Sequence, residues 1–436
     1  MNVSPQARAR TPSFAERISE HRVGPCRLIM LPTPIPNVVT WCGSFHSAPD
    51  MGNKEELLLQ HLVVSMLDKG AGTLDRFALS EILENKGAEL AFSSDVLRID
   101  FSGRALKKDV AEVLGLTALQ LREPLLAEEE LAKAKDRISA SIKRSMESTG
   151  AQASGALRRR IYGVSHPNYM QEFEEQLEQL QQFSIDDVQA YHAAHFGANA
   201  CTLVVVGDVD ERAVSKAVEN HFSGWPSHDA LPRFAETPEQ HAPGSSTVFI
   251  ADKENVDVRL GHALAIRRDD PGYIPAFLAN FALGGNFSAR LMQTIRDEMG
   301  LTYGIGASLS GVSTEYDGHW QVAVTLSREY VQQGIEETVK QIRHFVVGGV
   351  APEELQEKKT TVTGAFKVGL STTFGLAKTL LSNVEQGFEI AYLDEFPDKV
   401  ESVSVDEVNR AITQVFAPDA MHVTLAGNVQ EGDIRL

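Results

Sequence analysis

The sequence predicts an α+β protein built from two homologous units, each a mostly antiparallel sheet with helices packed on one face, joined by a linker. Three observations carry this. The 436-residue chain is long for a single core, which favours two or three domains. Both halves end in an apolar strand closed by glycine, Thr202-Leu203-Val204-Val205-Val206-Gly207 and His422-Val423-Thr424-Leu425-Ala426-Gly427. Between the halves, residues 226–244 are rich in proline, histidine and small polar residues, the composition of a linker. The expected division is therefore 1–225, linker 226–244, and 245–436.

In the first half, residues 27–32 and 38–45 read as strands joined by a proline-rich turn at 33–36. Apolar residues at 58, 62 and 66 and at 59, 63 and 67 predict a helix over 55–67, extendable to 69. A second helix covers 74–86, Gly87 closes it, and a strand pair follows around 90–103. The second half repeats the order. Strands are expected at 248–251 and 262–266, helices at 273–283 and 288–299, and Gly300 stands where Gly87 does. The offset between halves is 213 residues at Gly87/Gly300 and 224 at Leu131/Leu355. The extra residues are assigned to a hairpin around 313–318.

Composition narrows the function classes. A hydrophobic fraction of 43% and a charged fraction of 23% describe an ordinary globular chain. A formal charge of −18 argues against nucleic acid or an anionic membrane as partner, because both need basic surface. No apolar run approaches a membrane span. The first ten residues lack the apolar stretch of a secretory signal, so a cytoplasmic location is the expectation, or periplasmic if a leader has been removed. Cys26, Cys42 and Cys201 suggest no disulfide framework.

Chemistry is concentrated in two segments. The first is His61-Leu62-Val63-Val64-Ser65, followed by Met66-Leu67-Asp68-Lys69-Gly70-Ala71-Gly72-Thr73 and later by Lys86-Gly87-Ala88-Glu89-Leu90. This frame resembles the inverzincin segment of the pitrilysin/insulinase metallopeptidases, where His-x-x-Glu-His holds zinc and its glutamate activates water. Only the first histidine is present. Residues four apart share a helix face, so Ser65 occupies the second ligand's place and Val64 the general base's. The resemblance places Ser141 at the third ligand, or Ile142 with a one-residue slip. A hydroxyl binds zinc poorly at neutral pH and a valine moves no proton. The chain is therefore expected to bind no metal cofactor, and His61 is expected to be a packed or hydrogen-bonded helix residue.

The second segment is Leu283-Gly284-Gly285-Asn286-Phe287-Ser288-Ala289-Arg290-Leu291, leading to Arg296 and, seven residues on, Tyr303. An arginine in a last helical turn is favourable through the dipole alone, and tyrosine is at home in a strand. In this setting, however, the pair is similar to one the same family uses. The resemblance implies that Arg296 and Tyr303 contact substrate and stabilise a developing oxyanion, with Gly284, Gly285 and Asn286 shaping a peptide-binding loop. No lysine follows at the P-loop position, which excludes a phosphate loop.

Together these imply the non-zinc subunit of a two-domain, processing-peptidase-like heterodimer. The partner would be a homologous chain with an intact His-x-x-Glu-His, holding the zinc; the substrate would be a peptide enclosed between the subunits. The other expectation is a non-catalytic structural or peptide-binding scaffold in a larger assembly.

Overall fold

The computed structural model describes residues 13–51, 53–227 and 242–434. Most of the expected linker, residues 228–241, and the N-terminal segment read for a signal lie outside the described residues.

Apolar runs, continuous in the central strands and alternating towards one edge, build two sheets of the same design. In the first the order is Ser19–Val23, Cys26–Pro32, Thr202–Gly207, Val38–His46, Arg98–Leu106, Glu89–Ser94. In the second it is Ser245–Phe249, His422–Gly427, Asn255–Ala263, His319–Ser327, Thr302–Ser310. Apart from the additional edge strand Ser19–Val23, the two orders correspond strand for strand. In each, one parallel pairing joins the first main strand to the last, and all other pairings are antiparallel. The mixed α+β class with mostly antiparallel sheets is thus borne out.

The repeated strand-ending glycines have a backbone cause. Gly207 has φ +140° and Gly427 φ +151°. A Cβ on Gly207 would lie 2.2 Å from the Val38 carbonyl, and one on Gly427 would lie 2.8 Å from that of Asn255. Each glycine lets the last strand leave the sheet against its antiparallel neighbour.

Successive strand residues face opposite sides, and both sides of the first sheet are apolar. Leu28, Met30, Leu203 and Val205 join one core with the half's own helices, including Lys54–Val64, Val110–Arg122 and Glu211–Phe222. Ile29, Leu31, Val204 and Val206 form another with Leu376, Ala377, Leu380 and Leu381. Those last four sit on the helix Thr373–Glu385, which belongs to the second half. The exchange is reciprocal: Thr149–Ile161 of the first half packs on the second sheet. There Thr424 Oγ1 donates to the Ala153 carbonyl at 2.8 Å and Thr149 Oγ1 to Asp257 at 2.6 Å. Helices therefore cover both faces of each sheet, not one face as expected, because the second face is closed from the other half.

Several boundaries differ from expectation. The helix over 55–69 stops at Val64; Ser65 caps it, and a 3₁₀ turn Leu67–Lys69 follows. The 74–86 helix begins at Arg76, because the Asp75 carboxylate accepts the Ala78 N–H as an N-cap. The strand placed at 262–266 is Asn255–Ala263, and that at 248–251 is Ser245–Phe249. The segment 288–299 contains a wide π-type turn, Met292–Glu298, in which the Met299 N–H reaches the Thr294 carbonyl. The offset rises from 213 at Glu89/Thr302 to 221 at Arg98/His319, so the 313–318 hairpin and its first strand hold most of the extra residues. The remainder falls in the next helix, Val331–Gly348 against Val110–Arg122.

That longer hairpin reaches the other half. Arg98 Nη1 lies 2.7 Å from the Glu315 carboxylate, whose other oxygen is 3.8 Å from the His46 ring. Arg98 is mostly buried, so Glu315→Ala leaves a guanidinium without its carboxylate. The expected loss is roughly 2–3 kcal/mol, under the figure for a fully buried pair because Glu315 is 26% exposed. Urea unfolding of the variant measures it.

The three thiols lie inside. Cys26 and Cys201, at the starts of adjacent parallel strands, bring their sulfurs to 2.9 Å, and burial pushes the Cys42 thiol up to about 12. No helix among the described residues is long and apolar enough to cross a membrane.

Candidate functional site

The helix Lys54–Val64 lies beside Glu128–Met146, and a cavity of about 330 Å³ opens between them and the segment carrying Tyr169 and Met170. His61 and Ser141 both line it. The His61 ring is open to the cavity, yet walled closely enough that desolvation lowers its pKa. Ile142 lines the same cavity from a buried position.

The other two positions of the motif face elsewhere. Val64 is 5% exposed, packed in the core of the first half. Ser65 ends the helix, its hydroxyl donates back to the Leu62 carbonyl at 2.7 Å, and it borders a separate cavity with Arg137 and Phe92. Arg137 Nη2 donates to the Ser65 carbonyl at 3.3 Å. Ser65 still keeps helical register, its N–H bonded to the His61 carbonyl at 3.0 Å, so what separates it from the His61 cavity is its surroundings: the hydroxyl is taken by the Leu62 carbonyl and Arg137 closes on its backbone. One imidazole and two hydroxyls, one already bonded to backbone, do not fit a zinc ion. Among the described residues no group of three His, Cys, Asp or Glu side chains comes together for a metal.

In the second half, the glycines have a packing reason. Gly284 ends the helix Tyr273–Gly284, and a Cβ there would meet the Ala307 backbone nitrogen at 2.6 Å. On Gly285 it would meet the Phe281 Cα at 2.6 Å. The segment turns at Asn286, whose Oδ1 accepts the Ser288 N–H at 2.9 Å and hydroxyl at 3.0 Å, while its buried Nδ2 has no partner.

Arg296 and Tyr303 flank the turn at Gly300, which has φ +65°. Arg296 lies in the π-type turn, pairs with neighbouring Asp297 at 3.2 Å, and its guanidinium sits 6.0 Å from the Phe287 ring centroid. Tyr303 falls where the register of Thr302–Ser310 slips, between Thr302 and Ile305, and is 99% exposed. A bulge re-aims a side chain in this way. Phe287 is 78% exposed and Met299 39%. No hydrogen bond joins Arg296 to Tyr303 among the described residues.

Sequence reading missed two features. The first is the exposed pair Phe287 and Met299 beside Arg296 and Tyr303, since the motif draws attention to its glycines, Asn286, the arginine and the tyrosine. The second is the basic wall of the first cavity, Lys54 and Arg158, which no local pattern announces beyond the run Arg158-Arg159-Arg160.

Two equivalent sheets exchange helices, and one helix carries a single histidine where the resemblance places a zinc motif. Residues 182–362 of the chain match the sequence profile described as the peptidase M16 inactive domain. It is 21% identical to the "Non-peptidase homolog YmxG" of Helicobacter pylori, across 84% of this chain and 83% of that protein. The crystal structure of a peptidase M16 inactive domain from Pseudomonas fluorescens superposes with a TM-score of 0.86 at 20% identity, covering 96% of this chain and 99% of that one. The periplasmic protease PqqL of Escherichia coli superposes with a TM-score of 0.79 at 16% identity, covering 98% of this chain but 47% of PqqL. The resemblance read from the motifs is borne out at the level of the family.

Proposed function

We propose that this chain is the zinc-free subunit of a paired M16 peptidase, presenting Arg296 and Tyr303 to a peptide held against a homologous partner with an intact His-x-x-Glu-His. The observation that carries this reading is the contrast between the two halves. Position 64 is packed into the core and position 65 is bonded to backbone, whereas Arg296, Tyr303, Phe287 and Met299 are exposed around one turn. Exposed aromatic and cationic groups together suit a surface that meets another molecule. A fully exposed phenol and a guanidinium are both donors available to a developing oxyanion. In the pair, the partner would supply metal-assisted attack, and this chain would bind and orient the peptide.

Co-expression with a neighbouring gene encoding the intact motif, then size-exclusion and peptide cleavage, tests the pairing. Tyr303→Phe in the complex is expected to lower kcat by roughly 10²–10³, the magnitude of losing one oxyanion donor. Unchanged turnover would demote the pair to structural residues. Metal analysis of the isolated chain is expected to show far less than one zinc per chain, and a stoichiometric content would overturn the reading.

A second reading is a non-catalytic scaffold, favoured by a relative named as a non-peptidase homolog. It predicts a stable complex whose cleavage, if any, ignores Tyr303.

A further inference from the structure

The cavity at the former metal position has a charge pattern of its own. Its wall carries Lys54 and Arg158 as well as His61, and no aspartate or glutamate, in a chain of net charge −18. The rest of the wall is largely aliphatic, with Leu57, Ile138 and Ile142.

Arg158 is the informative residue. It is half-buried, and desolvation pulls its pKa down. Its Nε donates to the Asn168 carbonyl at 2.6 Å, and Nη1 has only a thioether, Met170 Sδ at 4.0 Å. Nη2 has no protein acceptor, and the guanidinium has no carboxylate partner, among the described residues. A guanidinium withdrawn from water without a counter-charge is unfavourable, and the deficit is removed by an anion from outside. The planar fork of N–H donors fits a carboxylate in particular. A volume of about 330 Å³ lies at the small end of ligand pockets, enough for one apolar residue or a short acyl chain and too little for folded protein.

We propose that this cavity binds a carboxylate carried on an apolar chain, with Arg158 receiving the carboxylate and the Leu57, Ile138 and Ile142 wall receiving the chain. Two sources share this chemistry: the C-terminus of a peptide ending in an apolar residue, and a free short-chain acid. The site acts in the isolated chain and does not depend on the pairing proposed above.

Calorimetric or ligand-observed NMR titration of the isolated full chain tests it, with N-acetyl-leucine, N-acetyl-leucinamide, hexanoate and a free-acid tripeptide ending in leucine. N-acetyl-leucine is expected to bind, and its amide at least about tenfold more weakly, because the amide removes the charge that Arg158 meets. Tripeptide binding assigns the site to peptide C-termini, and hexanoate binding without tripeptide binding assigns it to free acids; both support the carboxylate. Arg158→Gln is expected to abolish the preference for acid over amide. Should that variant fold poorly, Ser141→Trp fills the cavity from an exposed wall position, leaves Arg158 in place, and is expected to abolish binding. Equal affinity for acid and amide, or no binding of any probe at millimolar concentration, would overturn the proposal.

Discussion

Between pH 7 and about 4.5 the protein is expected to lose several kcal/mol of folding stability, because three histidines are buried neutral where the halves meet. Burial, with Arg98 second, lowers His46 from 6.5 to about 4. Burial, then Lys54 and Arg158, lowers His166 to about 4. Burial, then Arg158, lowers His319 to about 3. His319 Nδ1 is 2.7 Å from the Tyr162 hydroxyl of the other half, and the His166 ring lies 6.0 Å from Tyr316. Glu315 approaches His46, but Arg98 holds that carboxylate, so burial decides.

The sign follows from which state takes protons first. Each folded pKa lies below the unfolded one, so as pH falls through 6.5 the unfolded chain protonates and the native one does not. The contribution is complete above 6.5 and is lost towards the folded values near 4 and 3. Each histidine contributes about 1.4 kcal/mol per pH unit within that window. Asp100 and Glu385, raised chiefly by burial, act in the opposite sense and reduce the net slope. Urea midpoints across this range measure the effect, and a flat profile would contradict it.

Leu380→Asp is expected to destabilise the first half although it lies on a helix of the second. Leu380 is fully buried against Ile29, Leu31, Val204 and Val206. Truncation to alanine at such a site costs roughly 2–5 kcal/mol, and an unpaired carboxylate costs more. That is a large part of the roughly 5–15 kcal/mol that holds a native protein. Hydrogen exchange should accelerate in Cys26–Pro32 and Thr202–Gly207. Val347→Asp, at a position 89% exposed, is the control and should change little. If the strands kept their protection in Leu380→Asp, the exchanged helix would not be what closes that face.

Some of this was legible in order. The apolar runs ending in Gly207 and Gly427, the helix start before His61, and the helix Tyr273–Gly284 follow from local pattern and turn chemistry, which need no distant partner. The end of the Lys54–Val64 helix was not, because apolar spacing continues to Met66 and Leu67 while the backbone has already turned. Nor was the strand from Asn255, whose polar residues Asp257 and Arg259 interrupt the apolar pattern. They face Thr149 and Ser154 on the helix from the other half.

For the candidate site the division is similar. Val64 and Ser65 at two motif positions are identities, and identities alone decide which groups can bind metal or move a proton. Spacing also placed Arg296 and Tyr303 on either side of one turn. Whether a group faces a cavity, the core or solvent depends on what packs against its element from hundreds of residues away. Only the tertiary structure turned Ser65 from the cavity, brought Ser141 and Arg158 to the wall beside His61, and exposed Tyr303 through a register slip. It also closed each sheet with a helix of the opposite half, since burial is a property of the assembled surface and no local window contains it.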